Sequence, residues 1–174
     1  MITATRTSDQ PIIHQGMCAS LGDIINGPSL IRRPDWLPAG PADLGTNLLF
    51  FAHHKGQHIR LATTDDLPGP WHIHTAGVLP LDQTPFAQTR PDVEQPDWAI
   101  RQETDGLYPH LASPDVWVDD ENQCLEMWLH GLADSGEQVT YRATSSDALT
   151  WHVTGPATEE TYLRVFRRGG ETFA

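Results

Sequence analysis

The chain repeats itself, and the repeat limits the possible folds more than any other feature. Residues 47–74, "NLLFFAHHKGQHIRLATTDDLPGPWHIH", match residues 124–154, "CLEMWLHGLADSGEQVTYRATSSDALTWHVT", element by element. Each segment has an apolar run ending in histidine (Phe50-Phe51-Ala52-His53; Met127-Trp128-Leu129-His130) and then a turn. Each continues with an alternating run (His58 to Thr63; Val139 to Thr144), a polar Thr/Ser-Asp step, a leucine and a tryptophan that opens a last short run (Trp71; Trp151). Upstream lie two further matched segments, "GPSLIR" at 27–32 and "SPDVWV" at 113–118. The units are offset by 80 residues at the tryptophans and by 86 at Pro28 and Pro114.

Fourteen prolines and fourteen glycines punctuate short runs of Val, Ile, Leu, Phe and Trp, and no stretch keeps a helical period for three turns. The expected class is all-β. Four-stranded units in tandem predict a β-propeller. The first blade spans about 24–75, a Pro- and Asp-rich insert 76–106, and the second blade about 107–155. A third blade starts at about 160–174, with Tyr162–Phe166 expected as its first strand and Thr172–Ala174 as the start of its second. Two blades and a fragment leave unpaired edges. The expectation is therefore one partial propeller domain over 1–174, either the N-terminal portion of a longer protein or a truncated gene product, with the remaining blades outside this chain.

With 11 Lys and Arg against 23 Asp and Glu, the net charge is −12, spread along the chain. Such a surface repels phosphate backbones and anionic lipid, so neither nucleic acid nor membrane is an expected partner. A mean hydropathy of −0.40 and the lack of an apolar run behind a basic N-terminus read as cytoplasmic. Cys18 and Cys124 have no C-x-x-C spacing and read as packing residues, suggesting neither a disulfide framework nor a zinc site. No metal and no cofactor are expected, and no Gly-rich phosphate loop is present.

In a propeller the first strand of each blade lines the central funnel, which puts Asp115 of "SPDV" at a funnel mouth. Its functional reading is a carboxylate positioned for chemistry or for binding hydroxyls, and its plainer one an aspartate satisfying turn amides. The segments "NGPSLI", "SPDV", "ATTDDLPGPW" and "ATSSDALTW" resemble the five-bladed propellers of the family 43 glycoside hydrolases and their invertase and levansucrase relatives, over most of the chain from about Ile24. The resemblance implies carbohydrate as substrate and inverting hydrolysis by carboxylates from successive blades. It assigns Asp115 to the second-blade carboxylate that tunes the acid and orients the sugar, and Glu160 to the third-blade general acid. At the first blade the sequence departs, with Asn26 and Gly27 where the family carries its aspartate base. An amide cannot act as a base. Either Asp23 or Asp35 substitutes, a histidine does the work, or the site only binds sugar.

Inverting hydrolysis needs an acid and a base roughly 6.5–9.5 Å apart, a separation that residues from different blades can span. Five of the nine histidines, His53, His54, His58, His110 and His130, fall at strand ends or beside funnel residues, and imidazoles there suit sugar hydroxyls or proton transfer. The substrate-binding candidates are Asn26, His53, His54, His110 and His130, with Asp115 and Glu160 as catalytic candidates. Trp71 and Trp151 read as packing between blades, Trp36 and Trp98 as a substrate rim, and His72 and His74 as solvent-facing. Two function classes stay open: a glycoside hydrolase, and a non-catalytic carbohydrate-binding or interaction propeller.

Overall fold

The apolar runs form strands because β-branched and aromatic residues alternate in short windows that Gly, Pro and Asp close off. The computed structural model describes residues 3–6, 8–22, 24–40, 42–53, 55–100 and 106–174. It is nearly all-β, and the helical elements bounded within the described residues are short, at Gln15–Met17, Leu81–Gln83 and Asp97–Ala99. No helix among the described residues is long and apolar enough to cross a membrane.

In the first sheet β1 (Ile25–Arg32), β2 (Asn47–His53), β3 (His58–Thr64) and β4 (His72–Ile73) follow one another as an antiparallel meander. The insert is not separate from it: β5 (Leu79–Pro80) pairs with the start of β3. In the second sheet β6 (Leu111–Asp119), β7 (Cys124–Leu132), β8 (Gln138–Ser145) and β9 (His152–Thr158) repeat the meander. The ladders define the repeat residue by residue. Thr63 pairs with His72 as Thr144 pairs with His152, which makes Trp71 and Trp151 counterparts. Both are buried, and each indole N–H donates at 3.1 Å to a carbonyl in the preceding turn, Leu67 or Ala148.

The ladders also correct the histidine match. Asn26 lies opposite Ala52, and its counterpart Ala112 lies opposite His130. His130 therefore corresponds to Ala52, and His53 to Gly131, one residue away from the match drawn from sequence. A one-residue slip sends a side chain to the other face of the sheet.

Near the start of each first strand lies a bulge, between Asn26 and Ser29 in β1 and between Ala112 and Asp115 in β6. In both the residue before proline has positive φ, 60° at Gly27 and 51° at Ser113. The two bulges touch, because a Cβ on Gly27 would stand 2.7 Å from the Cα of Ser113.

The third segment differs from expectation. Tyr162–Phe166 is not a strand, since Tyr162 itself has φ 58°. The strands are β10 (Phe166–Arg168) and β11 (Glu171–Phe173), closed by Gly169-Gly170 with φ 61° and 84°. Two successive positive-φ residues match the twist of a tight hairpin, and glycine adopts that conformation without a Cβ clash.

One core serves both sheets. Phe50 and Leu61 of the first pack with Met127, Leu129 and Trp151 of the second, and the Phe50 and Trp151 rings meet edge to face at 5.6 Å. A smaller cluster around Leu21, Phe51 and Trp71 covers the outer side of the first sheet.

Candidate functional site

The bulges bring the openings of β1 and β6 together, and beside that contact lies a cavity of about 150 Å³. It is smaller than the roughly 300–1,000 Å³ typical of drug-sized ligands and suits one small ring. Asn26 comes from β1, His130 from β7, and His110 from the residue just before β6. Tyr162 reaches in from the third segment, its ring 4.2 Å from that of His130, and the His130 and His110 rings are 6.1 Å apart. Lys55, Trp98 and Tyr108 complete the mouth.

Buried polar atoms normally find a partner. Two here do not: the Asn26 Oδ1 and the His130 Nδ1 are buried without one. The His130 side chain is deeply buried, 2% exposed as a residue, and burial, followed by the positive fields of His110 and Arg164, lowers its pKa to about 4. It is a neutral imidazole at physiological pH, able to give one hydrogen bond and take another. The proton of His110 is fixed on Nδ1, 2.9 Å from the Tyr108 carbonyl, which can only accept. Burial, followed by Tyr162, raises the pKa of Tyr108, so its phenol stays protonated. Among the described residues no carboxylate lines the cavity, and Lys55 is its one charged side chain.

Asp115 lies elsewhere. It lines a wide open groove of about 1150 Å³ between β1 and β6, along with Ser29, Asp35, Trp36 and Arg164. Its Oδ2 accepts the Val165 amide at 2.8 Å and the Trp117 indole N–H at 3.0 Å, and Arg164 stands 3.9 Å from Oδ1. Its counterpart Ser29 does the same in the first sheet, accepting the Val116 amide on Oγ at 2.8 Å. The side chain at this position in one unit thus holds a main-chain N–H of the next.

Glu160 is exposed beyond β9, where its main-chain carbonyl accepts the Thr140 hydroxyl, and it lines neither the cavity nor the groove. His53 is packed by glycines instead of facing the cavity; a Cβ on Gly22 would stand 2.5 Å from its ring, and one on Gly56 2.6 Å from its carbonyl. His54 and Asp23 lie outside the described residues. His58 ends up beside Asp82 on another part of the surface, and burial lowers its pKa. Trp98 lines the cavity mouth and is 48% exposed, whereas Trp36 lines the groove and donates to Asp120 at 2.9 Å. His72 is exposed, but His74 is not: its Nε2 is buried and unpartnered. Asp119, Cys124 and Glu126 lie close enough to share an ion. Two of these donors are occupied, however, Asp119 by Asn122 and Glu126 by Arg142 and Arg167, and burial raises the Cys124 thiol pKa.

Sequence reading alone missed Lys55, Tyr108, Ser113 and Tyr162. Lys55, Ser113 and Tyr162 have positive φ, a conformation that their residue types do not announce.

No protein-family model matches the chain. The chain is similar to R118 of Acanthamoeba polyphaga mimivirus, described only as an uncharacterized protein, with 31% identity over 114 residues. The alignment covers 61% of this chain and 28% of R118, so the chain matches well under a third of that protein's length.

Proposed function

We propose that this protein recognises carbohydrate, taking one sugar ring into the cavity beside the two bulges, and that its sheets are successive blades of a propeller. The observation that carries the reading is the pair of buried, unpartnered atoms, Asn26 Oδ1 and His130 Nδ1, in one cavity with exposed aromatic faces at its mouth. A buried polar atom without a partner costs about 1–3 kcal/mol, a cost that a bound hydroxyl removes. The Asn26 oxygen needs a donor, and His130 needs a donor or an acceptor according to its tautomer. A hydroxyl is both. Trp98 and Tyr162 offer flat apolar surfaces to the C–H face of a ring.

Glycoside hydrolysis is the second reading. It rests on the likeness of "SPDV" to the family 43 second-blade step and needs a base other than Asn26. The Asp115 carboxylate holds the next segment, and Glu160 stands apart from it, so binding without turnover is the reading the geometry favours. Calorimetric titration with monosaccharides, alongside a nitrophenyl glycoside panel, tests both. Binding should weaken about tenfold in Asn26→Ala without a fall in thermal midpoint. Sugar binding unaffected by Asn26→Ala would refute the cavity, and brisk turnover of any glycoside would favour the hydrolase.

A further inference from the structure

The cavity has a property that neutral sugar recognition leaves unused. In a chain with 23 acidic and 11 basic residues, its only charged side chain among the described lining residues is a lysine. Lys55 sits in the turn between β2 and β3 at φ 65°, a left-handed conformation that a non-glycine residue adopts only where the surrounding fold imposes it. Its ammonium stands 5.7 Å from the centre of the Tyr108 ring, another wall of the same cavity, so a cation–π contact holds the charge at the mouth. The positive field of Arg164 also reaches His130 at the floor. Among the described residues the site is a locally positive spot on a negative molecule.

Building on the carbohydrate reading above, we propose that the preferred ligand is a sugar acid, a hexuronate whose hydroxyls meet Asn26 and His130 while its ring carboxylate lies against Lys55. The floor and the mouth make different demands. Asn26 Oδ1 can only accept, so the group that meets it must be a hydroxyl and not the carboxylate. The anion belongs at Lys55. A phosphate fits less well: the described lining offers no arginine to fork onto its oxygens. The Arg164 guanidinium donates to the Ser113 and Pro114 carbonyls and faces Asp115, which ties it to the joint between units.

The experiment is a calorimetric titration of the purified protein at low ionic strength, with D-galacturonate and D-glucuronate set against D-galactose and D-glucose. It is repeated in Lys55→Gln, which keeps a polar side chain, one atom shorter, but removes the charge. At least one uronate should bind about tenfold more tightly than its neutral partner, the scale of one charge-assisted hydrogen bond. That advantage, read as the ratio of uronate to neutral-sugar affinity, should vanish in Lys55→Gln and shrink at high salt. Equal binding of acid and neutral forms, or an advantage that survives Lys55→Gln, overturns the inference and leaves the carbohydrate reading standing. If neither class binds, the carbohydrate reading fails and the sugar-acid inference with it. A thermal melt of Lys55→Gln matching wild type shows that the comparison is between folded proteins.

Discussion

His130 concentrates the chemistry of the cavity in one side chain, and its burial makes a prediction about stability. Its pKa falls from an ordinary 6.5 to about 4 in the folded protein, so the unfolded chain binds the proton first as pH drops. Stability attributable to His130 is intact above about pH 6.5, declines between 6.5 and 4, and levels off below 4, a loss of roughly 3 kcal/mol in all. Urea midpoints between pH 7 and pH 4 should fall less steeply in His130→Asn than in wild type. The pKa values of His58 and His74 are also lowered by burial, and their contribution is common to both proteins. Overlapping pH profiles would mean that the imidazole is not held neutral. Asn26, His110 and His130 were legible as candidates because they sit near strand ends. His53 was placed wrongly because periodicity finds strands but not register. Lys55 and Tyr162 owe their positions to backbone angles that tertiary contacts impose.

At the scale of elements, the four-strand repeat was visible because apolar runs and turn residues recur in the same order. The hairpin of β10 and β11 was not, since its first strand begins only after the segment anchored by Asp115. That anchor separates structural from catalytic use of the carboxylate. Both donors converge on Oδ2, and the amide oxygen of an asparagine can still accept there. Asp115→Ala should destabilise the protein by about 1–3 kcal/mol, while Asp115→Asn should retain most of the wild-type stability and sugar affinity, as read by denaturant midpoints and titration. A large loss of binding in Asp115→Asn at unchanged stability would return the aspartate to the ligand site. Gly27→Ala tests the contact between bulges. Its φ of 60° and a Cβ 2.7 Å from Ser113 Cα leave no room, so it should cost more than about 1 kcal/mol and open the cavity floor, seen as weaker sugar binding.

The described residues form two sheets over a shared core with a hairpin tied to one of them. Trp151 belongs to that shared core and meets Phe50 across the sheets, whereas Trp71 belongs to the outer cluster of the first sheet alone. Trp151→Ala should cost about 3–5 kcal/mol and lower the protection of both sheets together in hydrogen exchange. Trp71→Ala should loosen chiefly the first. The hairpin should exchange earliest, since all its residues are exposed and Glu126 and Asp115 tether it from the second sheet. The repeated joint has a further consequence, for divergence between the units. Its donors are the main-chain amides of Val116 and Val165, so any residue except proline serves at either position, and its acceptors are as unlike as a serine and an aspartate. A joint that asks so little of residue identity leaves almost no trace in an alignment, and units built this way can drift far apart in sequence while still fitting together.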